Sequence, residues 1–228
     1  MTTMQRPLKA SDFKKLLFTS FQDANVNFAT TRIGKHHDVY ICGDPSETIY
    51  FIEAGQVKLL MLSPDGKECL LAIYTAGDTF GESCLAGSAP RQDMATAMED
   101  TTLRIIPSER LFAHLTEHSL LENFVQYLTA RVSEQQQIIT YMVTVDSEHR
   151  LGETLLALAR KLGQPDPPNT LIEHKITHEE LSEMVGTTRP RITEFMTKFR
   201  GLGLIDWSAE HFLIVREPAL NDYLARTN

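Results

Sequence analysis

The chain has 228 residues, of which 42% are hydrophobic and 23% charged, as is typical of a folded soluble protein with one large domain or two ordinary ones. Its formal net charge of −8 argues against binding nucleic acid through overall basic charge, although a binding face needs only local positive charge. Three cysteines without a CxxC pair argue against an iron–sulfur or structural zinc site, and the absence of a secretory signal or membrane span predicts a cytoplasmic protein.

Residues 1–106 predict a short leading helix followed by a β-rich region. The helix is expected within residues 1–20, where Phe13, Leu16, Leu17 and Phe21 recur at helical spacing. Between residues 30 and 106, apolar runs such as TIYFIEAGQVKLLML and ECLLAIYTAG alternate with turn signals at Gly43-Asp44-Pro45, Gly55, Pro64-Asp65-Gly66 and Gly77-Asp78. This spacing favours an antiparallel sandwich or barrel, which Pro107 ends.

From about Leu120 to Val145 the pattern predicts one long helix. Residues spaced alternately by three and four form a heptad stripe, and a second apolar row runs beside it. The stripe contains Leu121, Phe124, Leu128, Arg131, Gln135, Ile138, Met142 and Val145, and the second row contains Val125, Val132 and Ile139. The stripe packs either on the β-rich region alone or also on a copy of itself. Arg131 and Gln135 either set the register of such a dimer or reach into a ligand pocket.

Residues 147–228 predict a separate winged helix-turn-helix. SEHRLGETLLALARKLG is an amphipathic helix that ends at Gly163, and QPDPPNT is expected to be a Pro-rich loop. A capping box at Thr177-His178-Glu179-Glu180 opens a helix that Gly186 ends. Thr187 or Thr188 caps the next helix, and Pro190 occupies its first turn. LIDWSAEHFLIV then predicts a hairpin.

The segment FGESCLAGSAPRQD, residues 80–93, is the strongest candidate for a ligand site. A glutamate and an arginine, Glu82 and Arg91, flank a loop of small residues, as expected of a pocket for a small anion. Asp93 follows directly and would repel an anion unless it points away or pairs with a cation.

In order and spacing, these regions resemble the cyclic-AMP receptor protein (Crp–Fnr) family of bacterial transcription regulators. The resemblance runs from CGDPSETIYFIEAGQVKLL through AGDTFGESCL to ITHEELSEMVGTTRPRITEFMTKFRGLGLI. It implies an α+β fold: an N-terminal antiparallel β-roll over residues 1–118, a dimerisation helix and hinge over 119–146, and a C-terminal winged helix-turn-helix over 147–228. It also implies a homodimer that binds a palindromic operator in double-stranded DNA and contacts RNA polymerase, and not an enzyme.

The resemblance places the second helix of the motif in the major groove of DNA. An arginine at the position of Arg189 typically reads guanine, whereas Pro190 stands where the family often has glutamate and cannot bond a base. Glu194 could accept a hydrogen bond from cytosine, and Arg191 and Thr193 are further candidates for base contacts. His178, Thr188, Lys198 and Arg200 are expected to contact phosphates. The alternative is an ordinary solvated helix face.

The resemblance also assigns roles to residues 80–93, the segment that corresponds to the family's phosphate-binding cassette. Phe80, Gly81, Glu82, Pro90 and Arg91 match the family's phosphate-binding cassette, in which the glutamate takes a ribose hydroxyl and the arginine pairs with the cyclic phosphate. Gln92 and Asp93 replace two small residues, and Gln135 aligns with the position that holds adenine; Arg131 is a further ligand candidate. The effector is cyclic AMP or cyclic GMP, another nucleotide, or none, with Glu82 and Arg91 forming an internal salt bridge. A bound effector would act on DNA through the Gln135 region and the hinge at 145–147.

Other chemistry has weaker signals. His36-His37 with Cys42 suggests haem or metal but is typical of a plain surface, and Cys84 is either a redox sensor or a buried thiol. No metal spacing and no nucleophile–base arrangement is present. The competing class of function is a ligand-binding or interaction module without specific DNA binding.

Overall fold

The computed structural model describes residues 10–21, 28–63, 68–87, 89–167 and 169–227, and the chain divides into two compact units, residues 1–135 and 136–228. The helices are α1 Ala10–Ser20, α2 Ser108–Glu117, α3 Leu121–Thr144, α4 Ser147–Leu162, α5 His178–Val185, α6 Arg189–Gly201 and α7 Glu217–Arg226. The strands are β1 Ala29–Ile33, β2 Asp38–Tyr40, β3 Thr48–Ala54, β4 Gln56–Leu62, β5 Glu68–Thr75, β6 Thr79–Phe80, β7 Met94–Ala97, β8 Thr101–Pro107, β9 Gly163–Asp166, β10 Asn169–Ile172, β11 Ile205–Trp207 and β12 Leu213–Val215. A short 3₁₀ helix, Glu82–Ala86, follows β6.

Two antiparallel four-stranded sheets form the β domain of the first unit. Their strand orders are β1-β8-β3-β6 and β2-β7-β4-β5. One core cluster joins them, because it contains Ile52 of β3 and Leu103 of β8 together with Val57 of β4 and Ala95 of β7. All four side chains are fully buried, so the antiparallel β domain expected from the sequence is confirmed.

Glycine and aspartate make the turns at the predicted places. Gly55 joins β3 to β4 with a φ of 92°, and a Cβ there would lie 2.7 Å from the Cα of Thr101. The carboxylate of Asp78 accepts a hydrogen bond of 2.9 Å from the backbone N–H of Thr75, which closes the turn between β5 and β6. The turn predicted at residues 64–66 lies outside the described residues.

Two helices pack against the β domain and complete its core. Phe13 and Leu17 of α1 cluster with Leu111 and Leu115 of α2 and with Phe51 of β3. The leading helix is therefore confirmed from Ala10 onward, although Leu16, expected on its apolar face, is 41% exposed. Helix α2 is not among the elements predicted from the sequence.

The predicted long helix is confirmed as α3, and its apolar surface is only partly covered. Its buried side chains are Phe124 and Tyr127, which belong to the same core as α1 and α2. The second apolar row is open to solvent in the single chain, with Val125, Val132 and Ile139 exposed by 55%, 51% and 63%. Packing on the β domain alone therefore does not account for the apolar pattern of this helix.

The second unit is a winged helix-turn-helix, as predicted. Asp146 caps α4 by accepting a hydrogen bond of 2.9 Å from the backbone N–H of His149, and the helix ends before Gly163. Helices α5 and α6 follow, and β11 and β12 pair as the expected antiparallel hairpin. The fold class inferred from the sequence is thus confirmed in both units.

One predicted loop is wrong. Within QPDPPNT, residues 164–166 belong to β9, which pairs antiparallel with β10. Pro165 is tolerated there because β9 lies at the edge of the sheet β11-β12-β10-β9, where a missing N–H interrupts no inner ladder.

Helix α7, with Pro218 in its first turn, is another element absent from the prediction. Within the described ranges, no helix combines the length and apolar character that a membrane crossing requires.

Candidate functional sites

The backbone of the cassette, residues 80–93, is shaped by glycine. Phe80 is fully buried and stacks on Tyr50 with ring centroids 5.1 Å apart, so its role is packing. Gly81 follows with a φ of 83°, in the left-handed region that glycine adopts without strain. A Cβ at Gly81 would lie 2.9 Å from Nη1 of Arg91. Both the turn and the close approach of the arginine therefore require glycine.

Arg91 is an internal residue of the β domain. It is 2% exposed, and its guanidinium donates to the carbonyl oxygens of Gly81 (2.7 Å) and Thr48 (2.5 Å). A third, longer bond of 3.4 Å runs to the hydroxyl of Ser83. The guanidinium also lies 4.3 Å from the centroid of the Tyr40 ring. These contacts tie the cassette loop to β3 and use the two terminal nitrogens of the arginine.

Glu82 pairs with Arg131 of α3. Nη2 of Arg131 lies 2.6 Å from Oε1 of Glu82, and Nη1 donates to the carbonyl oxygen of Thr79 at 3.2 Å. Oε2 of Glu82 is buried and has no hydrogen-bond partner among the described residues. The alternative of a Glu82–Arg91 salt bridge is therefore wrong, and Arg131 reaches the cassette instead of serving only as a register residue. Gln92 and Gln135, the other candidates for ligand contacts, are exposed.

Asp93 lies in surroundings that disfavour its charge. The Tyr40 hydroxyl donates a long hydrogen bond of 3.4 Å to Oδ2, whereas Oδ1 is buried without a hydrogen-bond partner in the described part of the chain. Burial raises the pKa of Asp93, and backbone hydrogen bonding and the charge of Arg91 only partly offset that rise. Burial, reinforced by the Asp93 carboxylate, likewise raises the pKa of the Tyr40 hydroxyl.

A second polar cluster, around Asp78 just before the cassette in the chain, is not predicted from the sequence. Asp78 is 3% exposed, and its Oδ1 lies 2.7 Å from Nζ of Lys14 in α1. The same oxygen accepts a hydrogen bond of 3.1 Å from the hydroxyl of Tyr127 in α3. Gly77-Asp78 predicts only a turn, and no local spacing identifies two partners so distant in the chain.

The remaining candidates for metal or redox chemistry gain no support. Cys84 is buried, and burial raises the pKa of its thiol, which favours an inert buried thiol over a redox sensor. His36 and His37 are exposed. No three histidine, cysteine, aspartate or glutamate side chains converge on a metal position within the ranges that the structure describes.

The helix-turn-helix of the second unit is built by its caps. The Thr177 hydroxyl accepts a bond of 3.1 Å from the backbone N–H of Glu180, whose carboxylate accepts one of 2.9 Å from the backbone N–H of Thr177. Gly186 ends α5 with a φ of 67°. Thr188 occupies the N-cap position of α6 without a side-chain capping bond, and Pro190 lies in the first turn, where no intrahelical N–H is needed.

Helix α6 has one buried and one exposed face. Ile192, Phe195, Met196 and Phe199 are buried and fix the helix in its unit. The base-contact candidates Arg189, Arg191, Thr193 and Glu194 are all exposed, as is Thr188. Arg189 makes no ion pair with any described residue, whereas the guanidinium of Arg191 lies 5.4 Å from the centroid of the Phe195 ring.

Three of the residues expected to contact phosphates have partners within the chain. His178 is hydrogen-bonded to the Thr193 hydroxyl through Nδ1, at 2.9 Å. Nε of Arg200 lies 3.5 Å from a carboxylate oxygen of Asp206, at the start of the hairpin. Nζ of Lys198 lies 2.7 Å from the carboxylate of Glu148. The structure thus brings the DNA-binding candidates onto α6 and its surroundings, with Arg189 the least engaged cation.

Family models match both units. The model of the cyclic nucleotide-binding domain matches residues 31–118, and that of the Crp-like helix-turn-helix domain matches residues 149–223. This chain belongs to the Crp–Fnr family. Transcription regulation and DNA binding are the functions of that family.

Crp–Fnr relatives cover most of the chain. The CRP-like cAMP-activated global transcriptional regulator of Mycobacterium tuberculosis is 26% identical over 179 residues, which are 78% of this chain and 80% of that protein. The global nitrogen regulator of Synechococcus elongatus is 29% identical over 186 residues, 80% of this chain and 84% of that one. A solved structure of a CooA mutant from Carboxydothermus hydrogenoformans superimposes with a TM-score of 0.76 at 23% identity, over 91% of this chain and 95% of the other, which supports the fold.

In the Crp–Fnr cassette of this chain, Arg91 is engaged mostly by the fold itself. Both terminal nitrogens of the arginine donate to backbone carbonyls, and Nε is buried without a hydrogen-bond partner among the described residues. A guanidinium has five N–H donors, so a cyclic phosphate would contact Arg91 through those that the fold leaves over, and it would lie near Asp93, whose charge would repel it. The ion pair of Arg131 and Glu82 is more accessible, with side-chain exposures of 12% and 30%.

Proposed function

We propose that the chain is a homodimeric, sequence-specific transcription regulator that binds a palindromic operator. In this proposal residues 1–118 form the effector domain, 119–146 the dimerisation helix and hinge, and 147–228 the DNA-binding domain. The observation that carries the proposal is the exposed face of α6, on which Arg189 lies in the first turn without an acidic partner among the described residues. An unengaged guanidinium at the N-terminal end of such a helix suits the two acceptors of a guanine edge.

Helix α3 supplies the surface for the dimer. Val125, Val132 and Ile139 recur every seven residues, and each is more than half exposed in the single chain. Such a row is stable in water when it meets the same row of a second copy. A dimer with a two-fold axis has the symmetry of a palindromic operator, whose half-sites lie about 34 Å apart.

An operator selected from random duplexes tests this function. We expect Arg189→Ala to weaken binding to the selected operator by on the order of 1–3 kcal/mol and to change binding to random DNA much less. Arg226→Ala is the matched control, because it removes the same charge from an exposed position at the end of α7. An equal loss on both DNAs would make Arg189 a phosphate contact, and the absence of any preferred sequence would refute the proposal.

The engagement of Arg91 by two backbone carbonyls, with Asp93 beside it, favours a regulator that binds its operator without a cyclic nucleotide. We expect no heat on calorimetric titration with cyclic AMP or cyclic GMP at millimolar concentration, and equal operator affinity with and without them. Heat together with a gain in operator affinity would establish gating by nucleotide.

One observation favours a second candidate, gating by another effector. The Glu82–Arg131 ion pair joins the cassette directly to α3, so a ligand that takes either partner would change the packing of that helix. Activation by cAMP of the relative from Mycobacterium tuberculosis is a precedent for effector control.

Contact with RNA polymerase is part of the proposed function as a transcription regulator and is testable by operator-dependent transcription with purified polymerase.

A further inference from the structure

Three helices of the second unit meet at one charged cluster: Glu148 at the start of α4, Lys198 on α6 and Tyr223 on α7. Nζ of Lys198 lies 2.7 and 2.8 Å from the two carboxylate oxygens of Glu148. The Tyr223 hydroxyl donates to Oε1 of the same carboxylate at 2.5 Å. Glu148 therefore accepts three hydrogen bonds, two of them from the ammonium group of the recognition helix.

This arrangement holds Lys198 without burying it. The Lys198 side chain is 48% exposed and that of Glu148 is 20% exposed. The hydrogen bond that the ammonium donates to Glu148 is the main cause of a raised pKa of Lys198, so the ammonium remains charged while an adjacent carboxylate offsets its charge. An ion pair in contact with water exchanges partners readily, because solvent and salt screen it.

Lys198 lies where a DNA phosphate would compete for it. It is seven residues beyond Arg191, so the two cations share one flank of α6. The other cations of this helix are held more loosely: Arg200 is 3.5 Å from its carboxylate partner, and Arg189 makes no ion pair with the described residues. Lys198 is thus the cation of α6 with the closest internal anion.

We propose that Glu148 acts as an internal substitute for a DNA phosphate and keeps Lys198 from neutralising the DNA backbone. This inference rests on the proposed DNA-binding function and assigns Glu148 as a residue that sets its affinity. Holding Lys198 internally lowers the attraction to any DNA sequence, while base reading at Arg189 is left unchanged. The consequence is a lower affinity for every duplex than the charges of α6 alone would give, with the ratio of specific to random binding unchanged.

The salt dependence of DNA binding tests this assignment, because each phosphate contact adds about 0.9 to the slope of log K against log salt. In the proposed dimer, Glu148→Gln frees one Lys198 in each protomer, so we expect it to steepen the slope on random duplex by about 1.8 and to tighten binding roughly 25- to 100-fold at 0.1 M salt. Lys198→Gln should leave the wild-type slope unchanged, and the double variant should return to it.

Glu179→Gln is the matched control, since it removes the same charge from an exposed position on α5 that makes no ion pair with the described residues. An equal effect of Glu148→Gln and Glu179→Gln would show a general charge effect and overturn the inference. A slope lowered by about 0.9 per protomer in Lys198→Gln would also overturn it, because Lys198 would already contact phosphate.

A merely structural role for Glu148 predicts a lower melting temperature with an unchanged salt slope, and that result would equally overturn the inference. The unfolding transition, followed through Trp207, separates this loss of stability from a change in DNA binding. If wild type binds no DNA in a salt-dependent manner, the proposed function fails and the inference fails with it. If wild type selects an operator and Glu148→Gln has the same salt slope as wild type, the inference fails while the proposed function stands.

Discussion

Replacing Arg91 by alanine decides whether this arginine is a structural residue or a ligand receptor. In the folded chain its guanidinium is the donor to the carbonyl oxygens of Gly81 and Thr48 and packs on the ring of Tyr40. A receptor for a diffusible anion would face solvent and contribute little to the folding of the empty protein. At 2% exposure, Arg91 contributes instead to the stability of the β domain.

The expected magnitude follows from these contacts. A hydrogen bond that involves a charged group contributes about 1.5–3 kcal/mol, and its loss leaves a buried carbonyl unsatisfied. Stacking of a desolvated guanidinium on an aromatic ring contributes about 2 kcal/mol. Because water entering the vacated space would satisfy part of the freed carbonyls, we expect Arg91→Ala to lower the free energy of unfolding by about 3–5 kcal/mol.

Urea unfolding followed by circular dichroism measures this loss, and hydrogen exchange assigns it to β3 and β6, whose amides should lose protection. Arg32→Ala is the control, because Arg32 is an exposed arginine on β1 of the same domain and its loss should change stability by less than about 0.5 kcal/mol. A loss below about 1 kcal/mol for Arg91→Ala, together with abolished binding of an anionic effector, would refute the structural assignment.

Three further substitutions test the cassette and the dimer surface. Asp93→Asn should stabilise the protein at pH 7, because the raised pKa of buried Asp93 makes its charged form unfavourable. Because the folded state binds the Asp93 proton more tightly than the unfolded state, the stability of wild type should approach that of Asp93→Asn as the pH falls towards 3.8. A stability difference between the two proteins that stays constant across that pH range would contradict this explanation. Gly81→Ala should cost about 2 kcal/mol in urea unfolding through strain at positive φ and contact with Arg91, and an unchanged midpoint would show that the loop relaxes. Val132→Glu should dissociate the dimer in sedimentation velocity, whereas Ser133→Glu, exposed but outside the apolar row, should not; a dimer that survives both would move the interface elsewhere.

Local signals in the sequence were sufficient for most of the fold. The capping box at Thr177, the left-handed Gly186 and the turn at Gly55 each act within a few residues, so the sequence states them directly. The heptad pattern of α3 has the same local character. The expectation of a loop at residues 164–170 is wrong because Pro165 signals a loop locally, and only the neighbouring strands show that its own strand lies at a sheet edge.

The bonding partners of Arg91 and Glu82 could not be predicted from neighbouring residues in the sequence. The sequence places Glu82, Arg91 and Asp93 close together, which suggests that they bond to one another. The pairing of β3 with β6 instead brings the carbonyl of Thr48 to Arg91, and packing of α3 brings Arg131 to Glu82. Both partners come from distant parts of the chain, and one of them is a backbone group that no residue pattern can reveal.

The same exchange of partners changes where an effector of this protein would act. Arg91 is bonded to the backbone, so the partly exposed cation beside the cassette is Arg131 of α3, which pairs with Glu82. A ligand that competes for this pair must supply an anion to Arg131 or donors to Glu82, whose Oε2 has no hydrogen-bond partner among the described residues. Because Arg131 belongs to α3, such a ligand would act directly on the helix proposed to form the dimer. Control of DNA binding in this chain, if an effector exerts it, therefore needs no movement of the buried arginine.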